Sequence, residues 1–242
     1  MTPQGSSNDE VYYKKQAGYH DKRVATNKSH LIEAIIRHRI QDSIFYKQHL
    51  YLTNEATILK VITEHVKYIG GVDSSGRPSP FLQCLFRMLE LDPSKEIMEV
   101  YLHQLKFHEF KYLLAMALMY TRLTGSSEEI YKVLDQFNQD YRKLKFKLKT
   151  PEFDANGLPV FYKIIHMDEF IDDLLTKERI VDLIVSRLTP RTSLVEKGLV
   201  APRQYFVETK EIEDTLVPAQ TSATDNENGD SADSDSMASD SD

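Results

Sequence analysis

An all-α fold is what this sequence predicts: a compact single domain of many helices around one buried central helix at about 107–124, with a small β-hairpin near 143–166. Three observations carry that expectation. Tyr112 to Tyr120 (YLLAMALMY) are nine residues without a formal charge, too short to span a bilayer and too long for an ordinary buried strand. A helix that is apolar on every side has to be surrounded by other elements. Gly125 then stands where a left-handed helix end is expected, Arg122 suits the last-turn dipole, and Ser126 with Glu129 forms a capping box for the next helix.

The other elements follow from apolar spacing. Leu31, Ile32, Ile35, Ile36 and Ile40 recur at helical intervals behind Asn27 and Ser29, either of which can cap. An amphipathic piece from Ile44 to Leu50 follows, and Thr53 caps a helix whose Ile58, Leu59, Ile62, Val66 and Ile69 form one stripe ended by Gly70-Gly71. The loop VDSSGRPSP leads to Pro80, suited to the first turn of a helix that runs to Leu91. Asp92-Pro93 stops it and caps another, in which Ile97, Val100 and Tyr101 share a face. After the central helix, Ile130, Val133, Leu134, Phe137 and Tyr141 mark its capped partner.

Only Lys143 to His166 breaks the helical pattern. Four lysines (Lys143, Lys145, Lys147, Lys149) alternate with Leu144, Phe146 and Leu148; Asn156-Gly157 is a turn pair, and Val160 to Ile165 is β-prone. Pro151 and Pro159 place this hairpin at an edge with a long tip. Helix returns at Asp168 and runs to Leu188, with a break near Thr176, before Pro190 ends it.

Charge divides the chain. The net charge is −7, yet Thr215 to Asp242 holds seven acids and no Lys or Arg. Removing those seven from the 37 acids leaves 30 against 30 basic residues, so the body is neutral. Residues 1–28 read as a flexible polar arm, 29–206 as the helical domain and 207–242 as a disordered acidic Ser/Asp tail. In that tail Ser222, Thr224 and Ser239 have an acid three residues on, the pattern acidophilic kinases favour; a solubilising role is the alternative. The single cysteine, Cys84, lies in the apolar run PFLQCLFRML and reads as a small buried side chain. No stretch resembles a signal peptide or membrane span, so a soluble protein of a reducing compartment is expected.

Four motifs stand in one order along the chain. They are PSPFLQCLFRMLELDP (Pro78 to Pro93), the FKY…MYTRLTG helix, DYRKLK (Asp140 to Lys145) and HMDEFIDDLLTKERIVDLIVSRL (His166 to Leu188). Together they resemble the pre-mRNA-processing (splicing) factor 38 family over roughly Ser29 to Phe206. The resemblance implies an all-helical, non-enzymatic, nuclear scaffold of the spliceosome. Such a protein joins the tri-snRNP or pre-catalytic complex and is needed at activation, when snRNA pairing is rearranged. Its partners are other spliceosomal proteins and, through them, snRNA-containing particles, with no cofactor, metal, membrane or small-molecule substrate. Some family members carry a long Arg/Ser-rich extension; this sequence resembles a short form, with the acidic tail in its place.

The residues themselves argue against catalysis. His108-Glu109 begins like H-E-x-x-H, but Tyr112 occupies the second histidine's position, and a zinc site needs both imidazoles one turn apart. GGVDSSGRP has no following Gly-Lys-Ser/Thr and no preceding strand, so it lacks the parts of a phosphate loop. No G-x-S-x-G occurs.

Two charged features are candidates for binding. Asp168, Glu169, Asp172 and Asp173 place acids at i,i+4, a repulsive spacing. They read either as solvated surface or as an acidic ridge for a Lys/Arg-rich segment of another splicing protein. Arg142, Lys143, Lys145, Lys147 and Lys149 form the basic run. Extended, its four lysines line one face. Three uses stay open: a charged edge that prevents strand pairing, a row of contacts to RNA phosphate, or a nuclear-import signal.

Overall fold

The structure, a computed structural model, describes residues 27–106 and 109–203. The expected arm to residue 26, the tail from residue 204, and Phe107 and His108 lie outside the described residues. Asn27 accepts from the Ser29 amide and caps a 3₁₀ turn, Lys28–Leu31. The chain is extended at Ile32, and α1 spans Ala34–Asp42. The first apolar stripe is thereby split. Leu31, Ile32, Ile36 and Ile40 are buried while Ile35 is exposed. A five-residue π turn at Tyr46–Leu50 buries Tyr46 and Leu50.

Asn54, rather than Thr53, caps α2 (Glu55–His65), accepting from the amides of Ala56 and Thr57. Ser79 caps α3 (Pro80–Leu91) through the Leu82 amide, with Pro80 in its first turn as expected. Asp92 ends α3 in the left-handed region, and Ser94, not Asp92, caps α4 (Lys95–His103). On α4 it is Met98, Tyr101 and Leu102 that turn inward; Val100 is exposed.

The central helix α5 spans Lys111–Thr124 and buries Leu113 to Tyr120 without interruption. It touches α2, α3, α4, α6 (Ser127–Leu134) and α7 (Met167–Thr176), which surround it. The Ser126/Glu129 capping box opens α6 as the sequence predicts. Gly125 is not left-handed: its φ is −75°. Glycine is required because a Cβ there would lie 2.8 Å from the Thr121 carbonyl oxygen.

Arg122 is the second departure. It is 2% exposed, so it does not serve its own helix end from solvent. Its Nε donates to the Leu174 carbonyl at 2.6 Å and its Nη2 to the Ser186 carbonyl at 2.6 Å. Leu174 lies in the last turn of α7, where helix carbonyls lack an internal partner. The guanidinium thus closes one helix and fastens the strand that follows it.

That following chain is not helical. After Lys177 it forms a two-residue hairpin, β3 (Arg179–Ile180) with β4 (Leu183–Ile184), then runs extended to α8 (Arg191–Glu196). Val181 and Asp182 have φ of +51° and +60°, the pair of left-handed residues a tight hairpin turn requires. A β-branched residue there is strained. Burial of Val181 and a hydrogen bond of 2.9 Å from the Val72 amide to Asp182 Oδ2 offset the strain. Gly71 makes that approach possible, since a Cβ would lie 2.6 Å from the Val181 carbonyl oxygen. Gly70-Gly71 therefore serves this contact, while α2 has already ended at His65.

The expected hairpin is present: β1 (Lys143–Phe153) pairs antiparallel with β2 (Pro159–His166), with a register break between Lys147 and Glu152. Met167 begins α7 directly after β2.

Arg122→Met should lower stability by about 2–6 kcal/mol, because one buried and one half-buried carbonyl lose their donors at about 1–3 kcal/mol each. For a chain of this size that is a fall in melting temperature of roughly 5–20 °C. Arg122→Lys should recover only part of it, as one ammonium does not reproduce the two-pronged geometry; circular dichroism melts of the three proteins check this.

Candidate functional site

Alternation builds the most distinctive surface. Leu144 is fully buried and pairs with Ile165, also buried, so the even residues of β1 face the body and the odd residues face away. A third chain segment joins on the far side of β1. The Ile69 amide donates to the Lys145 carbonyl at 2.8 Å, and the Lys147 amide donates to the Ile69 carbonyl at 2.8 Å. Ile69, expected to end the α2 stripe, is instead a short parallel partner of Phe146. Consequently β1 is flanked on both sides around Lys145 to Lys147. The lysines do not blunt an edge there; they stand on an interior strand.

Two tyrosines enter that row. Tyr162 on β2 sits opposite Lys147, and Tyr68 precedes Ile69. Their ring centroids are 5.5 Å apart, edge to face. Lys145 Nζ lies 3.9 Å from the Tyr162 centroid and Lys147 Nζ lies 5.7 Å from that of Tyr68. Burial, then the neighbouring Tyr162, pushes the Tyr68 hydroxyl above its ordinary range. A lysine–tyrosine face results, in which the rings hold the ammoniums without neutralising them.

The remaining basic residues are engaged differently. Arg142 closes on Asp140, with Nη2 to Oδ2 at 2.5 Å and Nε to Oδ1 at 2.9 Å, so it stands apart from the row. Lys149 lies past the register break, with Nζ 3.7 Å from Asp182 Oδ1. The Lys143 carbonyl accepts from Lys111 Nζ, and its own side chain is exposed. Sequence reasoning named these lysines but not Tyr68 or Tyr162. Their signal is the alternation of Val66, Tyr68 with Val160, Tyr162, Ile164, which reads as a strand face only once the pairing is known.

The four acids occupy the first two turns of α7. Glu169 Oε2 accepts from the His166 amide at 3.1 Å, and this bond holds its carboxyl below the usual range. Asp173 pairs with Lys177 at 2.7 Å. The Asp168 amide donates to the Asp140 carbonyl, and the Asp172 carbonyl accepts from Thr176. The group shares one helix, but Glu169 and Asp173 are already matched locally.

The glycine-rich loop is folded on itself. Asp73 accepts from the amides of Gly76 and Arg77, so those donors turn inward. Tyr112, at the position a second histidine would need, accepts from the Lys145 amide at 3.2 Å. Among the described residues no three of His, Cys, Asp and Glu converge on one point, and no helix is long and apolar enough to cross a membrane. A shallow cleft of about 470 Å³ is lined by Gln41, Tyr46, Lys47, Tyr51, Arg87 and Glu90. Three of its polar groups bind one another or the backbone: Tyr46 donates to Glu90 at 2.5 Å, and Arg87 binds Glu90 and the Thr53 carbonyl.

A helical body with a hairpin root packed on it and a charged aromatic face turned outward defines a binding module of mixed surface. Comparison with known proteins gives the family. Residues 21–198 match the PRP38 family, and the chain belongs to it. The chain is 38% identical over 180 residues to pre-mRNA-splicing factor 38A of Danio rerio, covering 74% of this chain and 53% of that protein. The Homo sapiens protein of that name is 36% identical over 185 residues, with 76% and 55% covered. The chain thus spans about half the length of the curated relatives it matches. It is also similar to a chain in the crystal structure of the Snu23–Prp38–MFAP1(217–258) complex of Chaetomium thermophilum, with TM-score 0.69 and 36% identity. There 79% of this chain and 96% of the other are covered.

Cys84 is fully buried, and burial pushes its thiol up to about 12. The native protein should therefore be unreactive toward Ellman's reagent at neutral pH, since the thiolate is the nucleophile. One equivalent should react in denaturant, and rapid reaction of the native protein would contradict the burial.

Proposed function

We propose that this chain is a non-enzymatic scaffold subunit of the spliceosome, acting in the nucleus through protein contacts, in the tri-snRNP or pre-catalytic complex, at activation. The observation that carries the reading is the family match, joined by a solved relative at 36% identity held in a complex with Snu23 and MFAP1. The geometry is in keeping: one continuous apolar core fills the helical body, and Lys143, Lys145 and Glu169 are exposed. In this reading Asp168, Glu169, Asp172 and Asp173 form an acidic ridge that receives a Lys/Arg-rich segment of another splicing protein.

Affinity purification of the tagged chain from nuclear extract, with mass spectrometry and RNA analysis, tests it. Recovery of tri-snRNP or pre-catalytic proteins with their snRNAs is the expected outcome; unrelated complexes would refute it. The double variant Asp172→Lys, Asp173→Lys should lose one partner from that set at an unchanged melting temperature. A full set retained by the variant would remove the ridge from the proposal.

The tyrosine pair favours a second reading, direct binding of single-stranded RNA to Lys143, Lys145 and Lys147. Three phosphate contacts imply a loss of affinity of roughly 20-fold between about 50 and 200 mM salt. Filter binding of labelled oligouridylate at the two concentrations checks this, and no measurable affinity at low salt eliminates it.

A further inference from the structure

Among the described residues the outer edge of β2 is open. Lys145 and Lys147 direct their backbone groups toward Ile69, so Leu144 and Phe146 make the hydrogen-bonded pairs with Ile165 and Lys163. The intervening residues of β2, Tyr162 and Ile164, therefore point their N–H and C=O groups away from β1. The next outward donor, the His166 amide, is already taken by Glu169 Oε2. Among the described residues nothing pairs with Tyr162 or Ile164 on that side.

An open edge is ordinarily guarded by charge, proline or a covering element. This one carries exposed apolar side chains instead. Ile164 is 67% exposed and Phe161 50%, with Val160, Leu158 and Phe153 exposed toward the tip. Pro159 stands at the start of the strand, beyond the two open residues. Both sides of the edge are basic: Lys145 leans over Tyr162 from one face, and Lys163 lies over Phe146 on the other, at 5.3 Å.

From this we propose that β2 accepts an added strand, an extended segment of a partner protein in which apolar and acidic residues alternate. Its backbone pairs with Tyr162 and Ile164. Because strand side chains alternate in face, its carboxylates lie on the outward face, where Lys145 reaches over Tyr162, and its apolar residues lie on the other face, against Phe161 and the stem of Lys163. The inference rests on the scaffold reading and adds the chemistry of one partner segment to it.

An eight-residue peptide of alternating valine and glutamate, titrated to millimolar concentration into the full chain, tests this by amide hydrogen exchange and nitrogen–proton NMR. The expected result is exchange at Tyr162 and Ile164 slowed at least tenfold, with amides of the helical body unaffected. The alternating valine–lysine peptide should give no protection. Ile164→Pro removes one outward donor that β1 does not use, and should abolish the protection while the fold is kept. Lys145→Glu, on an exposed side chain, should weaken the acidic peptide at least fivefold. Unprotected edge amides at saturating peptide overturn the proposal. So does protection that appears without peptide and rises with protein concentration, which makes the edge a self-association surface. Oligouridylate shifting the Tyr68 and Tyr162 resonances while the peptide has no effect overturns it in favour of RNA. Only purified components are used, so the result is independent of whether the chain recovers spliceosomal proteins from extract.

Discussion

Arg122 is a cation inside a helix that has no solvent face, and much of the C-terminal half is arranged to satisfy it. A buried guanidinium needs acceptors, and α5 has none to spare because its own carbonyls are used in its ladder. The acceptors come from the Leu174 carbonyl at the end of α7 and the Ser186 carbonyl in the extended run. Each side of this contact solves the other's difficulty, since the last carbonyls of a helix also lack partners. With the end of α7 fixed, the strand that leads into it without a linker is fixed as well. Backbone bonds from Met167 to Arg142 and from Asp168 to Asp140 complete the root of the hairpin. The orientation of the surface with functional interest is thus tied, through one helix, to a side chain in the core.

That root separates two regimes. Leu144 and Ile165 belong to the core; from Lys149 to Phe161 every residue is exposed. Exposed single apolar residues are ordinary on protein surfaces. A succession of them on one hairpin, whose outer edge has no partner strand among the described residues, is a different matter, because neither core burial nor edge protection accounts for it.

Much of the fold was legible because its signals are local. The unbroken apolar run of α5, the Ser126/Glu129 box, Pro80 in a first turn and the Lys/apolar alternation of β1 each need only a few neighbouring residues. The failures are non-local. Ile69 continues the spacing of Ile62 and Val66, so periodicity alone assigns it to the helix; only its bonds to Lys145 and Lys147 place it beside a strand. The turn at Val181-Asp182 lacks the Asn-Gly or Asp-Gly that advertises such geometry, and its stability comes from Val72 and Gly71, more than a hundred residues earlier. Arg122 in a last turn looks like a dipole partner, and nothing adjacent reveals that two distant carbonyls await it. The edge reading of the lysine row has the same origin. Alternating lysines look alike on an edge strand and an interior one, and the difference lies in which segment stands beside them.

The two charged features also differ in how much of their charge survives. On α7, Glu169 is bound by the His166 amide and Asp173 by Lys177, so part of the ridge is compensated within one or two turns. On the hairpin, Lys149 is compensated by Asp182, but Lys145 and Lys147 lie over neutral rings. A ring face orients an ammonium and shields part of its surface from water while leaving its full charge in place. Lys163 adds a further charge on the opposite face, over Phe146. Held ammoniums on an interior strand, beside an edge that no described residue pairs with, give an incoming segment both a sign to match and a backbone to pair with. A helix can present only the first of these, because its amides are consumed in its own ladder. Selectivity for an extended acidic segment, as opposed to general attraction for anything negative, therefore belongs to the hairpin.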